Sequence, residues 1–153
     1  MTAFAITMQK TEEVRMARRV FIAHQHNDRQ QVKGFILMRW NINVDFSFFD
    51  RSLVDPVKSD NETYIRKRIR EEMHGTSVTA VLIGERTHRS DWVAWEIEES
   101  AGRGNGLIGI KLKGQGGSKT PPLLRTYGAE VLTWQPSEFE GAIERAAVAA
   151  GRR

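Results

Sequence analysis

The sequence predicts a single α/β domain in which five parallel strands form a doubly wound sheet flanked by helices. Three observations predict it. Val20-Phe21-Ile22-Ala23, Val78 to Ile83 and Leu107 to Leu112 are largely apolar runs, as expected of strands covered on both faces. Segments with apolar residues at helical spacing alternate with them, which implies parallel strands joined by right-handed crossovers. A chain of 153 residues is also long enough to bury a core without disulfides or a structural metal.

Residues 1–18 read as a flexible leader and 19–150 as the domain. The leader has no apolar h-region and carries two glutamates, so it does not read as a signal peptide. Met16, directly before Ala17-Arg18-Arg19-Val20, is a second candidate start. After the first strand, the polar turn His24 to Asp28 leads into a helix expected to reach Trp40, with Phe35, Ile36 and Met38 to bury. Val44, Phe46 and Phe48 alternate with polar residues, which predicts an outer strand ending near Phe49. Asp50 to Pro56 reads as a loop, because proline and its predecessor resist helix.

Ser59 and Glu62 have capping-box spacing, and the helix after them places Ile65, Ile69 and Met73 on one face. Val78–Ile83 is the central strand. Ser90 is the expected N-cap of the next helix, with Asp91 at the positive end of its dipole and Val93, Ile97 and Ala101 facing the sheet. Leu107 to Leu112 follows as a strand, then a Gly-, Ser- and Pro-rich loop over 113–122. Val131 and Leu132 suggest a short fifth strand. Ser137 and Glu140 suggest another capping box, opening a last helix that buries Phe139, Ile143 and Ala147.

The absence of cysteine removes disulfides, thiolate catalysis and cysteine-based zinc sites, and fits a reducing cytosol. No segment has the apolar length of a membrane span. The net charge is +4, but the 23 basic residues are dispersed among 19 acidic ones. The densest basic stretch, Arg66 to Arg70, runs straight into Glu71-Glu72, as a solvated helix face does. Nucleic acid is therefore not an expected partner, whereas a basic surface suits an anionic dinucleotide.

Several familiar arrangements fail on their chemistry. His24 and His26 form an H-x-H pair, but no carboxylate or histidine cluster completes a metal site. Gly114 to Thr120 is similar to a phosphate-binding P-loop, yet it lacks the glycine before the lysine, and Pro121-Pro122 prevents the helix that must follow. A response-regulator receiver needs an aspartate ending its phosphoacceptor strand, where this chain has Gly84-Glu85.

Doubly wound sheets bind ligands beyond the carboxyl ends of their strands, at the switch point of strand order. His24, Asp50 and the turn after Ile83 belong to that edge. Glu96 lies one turn after Trp92, beside the Val93 stripe, and should flank the buried face. Periodicity alone favours a surface glutamate like Glu98 and Glu99.

The stretch Asp91-Trp92-Val93-Ala94-Trp95-Glu96-Ile97 resembles the TIR and TIR-like domains, which have a flavodoxin-like fold, and in particular the TIR-like ThsB component of the bacterial Thoeris anti-phage system. Trp92 and Glu96 match the family's tryptophan followed four residues later by glutamate. Thr76 to Thr79 with Val81 to Gly84, and Gly104-Asn105 with Ile108 to Ile110, look like two of its strands. Val20 to Ile22 and Phe49 to Leu53 are similar to the first strand and to the loop after the second. The likeness covers about residues 19–112.

The resemblance implies an enzyme that breaks the glycosidic bond of NAD, as a glycohydrolase or an ADP-ribosyl cyclase, and makes a cyclic ADP-ribose-type signal for a separate effector in anti-phage defence. Glu96 would be the catalytic carboxylate, stabilising an oxocarbenium-like ribose. Phe21, His24, Asp50, Ser52 and Trp92 would contact the substrate, the Asp50 to Pro56 loop completing the site, sometimes on a neighbouring protomer. NAD would be substrate rather than cofactor, with no metal needed. A phage-derived trigger, self-assembly and a cytoplasmic location are further expectations. A non-catalytic TIR-like signalling module and a deoxyribosyltransferase-like enzyme are the alternatives.

Overall fold

A computed structural model describes residues 18–37, 44–50 and 61–151. Five strands, β1 (Arg18–His24), β2 (Val44–Phe48), β3 (Val78–Ile83), β4 (Gly106–Lys111) and β5 (Glu130–Leu132), form one parallel sheet in the order β2-β1-β3-β4-β5. The helices are α1 (Arg29–Leu37), α2 (Glu62–Met73), α3 (Asp91–Gly102), α4 (Pro122–Thr126) and α5 (Phe139–Ala149). The strand order reverses between β1 and β3, so a crevice opens at the carboxyl ends of those two strands.

Alternation along the strands sorts the core into two layers. Val20, Ile22, Ala80 and Leu82 face Val32 and Phe35 of α1 and Phe139 and Ile143 of α5. Phe21, Ala23, Val81 and Ile83 face Ile65 and Ile69 of α2, Val93 and Ile97 of α3 and Leu124 of α4. All six residues of β3 are buried, because helices cover both of its faces.

Several local expectations shift. β1 already begins at Arg18, paired with Val44, and Arg18 grips Glu144 of α5 at 2.8 Å. α2 is capped by Asn61, whose Oδ1 accepts the Tyr64 N–H at 3.0 Å; Ser59 lies outside the described residues, as do the leader up to residue 17 and Met38 and Trp40. Ser137 does not cap α5. Pro136 opens a 3-10 turn, Pro136–Glu138, that runs directly into the helix, and no side-chain cap hydrogen bond forms there. In α3 Ser100 is fully buried and Ala101 only partly so. The five-residue α4 was not expected, since one turn is too short to show a period; Pro122 starts it and Leu124 anchors it.

Candidate active site

The crevice holds a cavity of about 220 Å³. β1 ends there, supplying His24 and the Gln25-His26 turn, and Phe49 enters from just beyond β2. Ile65 and Ile69 of α2 form the apolar wall. The amino-terminal turns of α3 contribute Ser90, Trp92 and Glu96. Ser90 is the N-cap as expected, its Oγ accepting the Val93 N–H at 3.2 Å, which fixes where the first turn of α3 starts.

Glu96 is 6% exposed, unlike Glu98, which faces solvent, and Glu99, which pairs with Arg70 at 2.8 Å. No side chain among the described residues pairs or hydrogen-bonds with Glu96. Burial therefore pushes its carboxyl well above the usual glutamate range, toward the protonated form. A raised carboxyl in a cleft is the kind of perturbation that marks functional sites.

Trp92 is half-buried at the cavity and meets Trp95 edge-on at 5.8 Å. The Arg66 guanidinium lies 5.9 Å from the Trp92 ring and 5.6 Å from that of Trp95, holding the pair from α2 by cation–π attraction.

His24 is turned by a 3.1 Å hydrogen bond between Nδ1 and the Gln25 carbonyl, which assigns the proton to Nδ1. Its Nε2 is buried without a hydrogen-bond partner among the described residues. Burial lowers the His24 pKa, and the Gln25 carbonyl and the charges of Asp50 and Asp28 offset this only in part. A neutral imidazole therefore lines the same cavity as Glu96.

Asp28 follows in the turn after β1. Its carboxylate faces Thr87, whose Oγ1 also receives the Gly84 N–H at 2.8 Å. A Cβ at Gly84 would collide with that carboxylate, so glycine at the end of β3 lets the turns after β1 and β3 meet and shape one side of the crevice.

The expected residues divide three ways. His24, Trp92 and Glu96 converge on the cavity. Phe21 does not line it: the ring is fully enclosed in the α2/α3-side core and supports the cavity from beneath, because odd positions of β1 point into that layer. Asp50 was expected in an exposed loop but is 8% exposed, 3.6 Å from Lys33 Nζ and close enough to His24 to act on its charge. Ser52 and the rest of 51–60 lie outside the described residues. Ile65 and Ile69 were read only as core; their place at the crevice depends on how α2 lies across the sheet, which their spacing does not encode.

A larger cavity, about 470 Å³, lies at the opposite edge of the sheet, between α5 and the starts of β4 and β5. It is lined largely by small residues, and its charged residues Glu130 and Arg145 pair with each other at 2.9 Å. The groups suited to chemistry are at the carboxyl edge instead.

Comparison with known proteins agrees with this fold. Residues 21–116 match the family model described as the TIR-like domain of the Thoeris protein ThsB. Over 101 residues the chain is 33% identical to ThsB1 of Bacillus cereus (strain MSX-D12), a protein named provisionally as a cyclic ADP-D-ribose synthase. That match covers 63% of this chain and 53% of ThsB1, so the chain spans about half the length of this curated relative. Among solved structures, the TIR domain of the Toll-related receptor TRR-2 from Hydra magnipapillata superposes with a TM-score of 0.53 over 85% of this chain and 94% of that one. At 14% identity, that likeness speaks to the fold alone.

Proposed function

The chain belongs to the ThsB TIR-like domain family, and on that premise we propose that it cleaves the bond between nicotinamide and ribose in NAD. The observation that carries the reading is the Glu96 carboxyl, buried on α3 and lining the cavity at the switch point. The name of the Bacillus cereus relative supports the same chemistry.

At about 220 Å³ the cavity is smaller than the roughly 300–1,000 Å³ of sites for drug-sized ligands, so it suits the nicotinamide–ribose end and not the whole dinucleotide. The nicotinamide ring of NAD carries a positive charge. Brought beside Glu96, that charge favours the carboxylate and offsets the effect of burial.

As the glycosidic bond breaks, its electron pair leaves with nicotinamide, which departs neutral, and positive charge passes to the ribose. The Glu96 carboxylate stabilises that oxocarbenium-like state. Ile65, Ile69 and Trp92 limit the water around it, which strengthens the interaction. Neutral His24 lines the cavity without adding a charge to it. Attack by water then gives ADP-ribose, and attack by a nucleophile within the same molecule gives a cyclic product. By its family, the cyclic product would serve as a signal to an effector in anti-phage defence.

The test is incubation of the chain with NAD while nicotinamide release and ribosyl products are followed by chromatography. Nicotinamide release that disappears in Glu96→Gln supports the reading. Release that persists unchanged in that variant refutes Glu96 as the catalytic group.

A further inference from the structure

A second cavity opens at the carboxyl edge of the sheet, on the other side of the turn that enters α3. It measures about 320 Å³, with Glu85, His88 and Arg89 on the β3 side and the Gly114 to Lys119 loop on the β4 side. Arg89 lines this cavity and Ser90, the next residue, lines the Glu96 cavity, so the two share one wall.

Its chemistry favours an anion. Arg89 and Lys119 approach from the two sides, both exposed, and no carboxylate among the described residues forms an ion pair with either. Glu85 is the acidic residue of the wall and tempers the field without cancelling two cations.

Gly117 of the lining points the same way. A Cβ there would meet only open space, and its φ is not positive. Neither packing nor backbone conformation within the chain therefore calls for glycine there. What glycine does at such positions is leave the main chain bare, so that an anion can approach the amide groups closely. The loop is also braced: Lys111 Nζ donates to the Gly116 carbonyl at 2.9 Å, and the Ser118 hydroxyl donates to Gln115 Oε1 at 2.6 Å. Pro121 and Pro122 rule out a P-loop helix, so any anion held here rests on side chains and loop amides alone.

We propose that this cavity is a second binding site, distinct from the Glu96 cavity, for a ligand bearing a diphosphate group. Two cations on facing walls suit two linked phosphoryl groups better than one. A nucleoside diphosphate and free pyrophosphate share this chemistry. The proposal holds whether or not Glu96 acts on NAD.

The test is calorimetric titration of the full chain with inorganic pyrophosphate and, separately, with ADP. Saturable binding is expected, weakened at least about tenfold by Arg89→Ala/Lys119→Ala, because each cation lost removes a charge-assisted hydrogen bond. Glu96→Gln should bind both probes as the wild type does. Lys67→Ala/Arg125→Ala, which removes the same charge elsewhere on the surface, should also leave binding intact. Tighter binding of ADP than of pyrophosphate would identify a nucleotide as the ligand, and equal binding the free anion; both support the site. Absence of saturable binding by the wild type overturns the proposal. So does undiminished binding by Arg89→Ala/Lys119→Ala, or an equal loss in Lys67→Ala/Arg125→Ala.

Discussion

Glu96 follows Trp92 by one turn of α3, and both side chains line the same cavity, yet the ring stays half-buried while the carboxyl is almost wholly enclosed. The pair thus sets a half-buried aromatic ring beside a carboxyl whose charge burial suppresses. That difference makes Glu96 separable by mutation from the packing around it.

Glu96→Gln keeps size and hydrogen-bonding capacity but removes the negative charge. NAD cleavage should fall on the order of a hundredfold or more, the usual cost of losing electrostatic stabilisation of a transition state. The fold should persist, as shown by an unchanged far-ultraviolet circular dichroism spectrum. For contrast, Leu82→Ala in the fully buried β3 should cost about 2–5 kcal/mol of stability. Full turnover by Glu96→Gln would remove Glu96 from the reaction.

The same substitution should change how stability depends on pH. The folded carboxyl holds its proton to higher pH than the unfolded one, so the folded state binds more protons in the window between the two pKa values. Glu96 then supports the fold fully below the ordinary glutamate range, and that contribution is lost as pH rises through the raised folded value. Glu96→Gln, which cannot ionise, should melt at a temperature that exceeds the wild type's by a margin growing with pH. A margin independent of pH would show that the carboxyl is not held protonated by burial.

His24 behaves in the opposite sense. Its lowered pKa means that the folded state resists protonation, so its contribution is present above the ordinary histidine range and is lost as pH falls through the folded value. His24→Phe should reduce this acid sensitivity in chemical denaturation and raise KM for NAD by removing a polar part of the cavity lining. An unaltered KM would separate His24 from the substrate.

Gly84→Ala should destabilise the fold by about 1–3 kcal/mol, because the new methyl group meets the Asp28 carboxylate. In Gly84→Ala/Asp28→Ala much of that cost should return, giving a coupling energy of about 0.5–3 kcal/mol between neighbouring sites. Additive losses in urea denaturation would contradict the contact.

Asp50→Asn should weaken NAD turnover through the loss of its charge near His24 and Lys33, with only a modest loss of stability. Kinetics and melting temperature, measured on the same preparation, would show the split; a large drop in melting temperature with unchanged KM would assign Asp50 to the fold instead.

The strands and the buried faces of α2, α3 and α5 were legible in the sequence because burial in a two-faced sheet imposes local periods: continuous apolar runs at Val78–Ile83, and fourfold spacing at Ile65, Ile69 and Met73. The tryptophan-to-glutamate spacing on α3 was equally visible, and through the family resemblance it singled out Glu96. What those periods could not decide was the depth of Glu96, since Glu96, Glu98 and Glu99 share one short helix. That depth, the burial of Asp50 and the withdrawal of Phe21 beneath the cavity depend on how α2 and the turns after β1 and β3 close against one another. The cavity beside Arg89 and Lys119 likewise exists only because parallel pairing brings the ends of β3 and β4 side by side. Sequence patterning sets which face of an element is buried, through solvent exclusion acting residue by residue; which elements then face each other across a ligand is settled by contacts between distant segments, and that only the tertiary structure supplies.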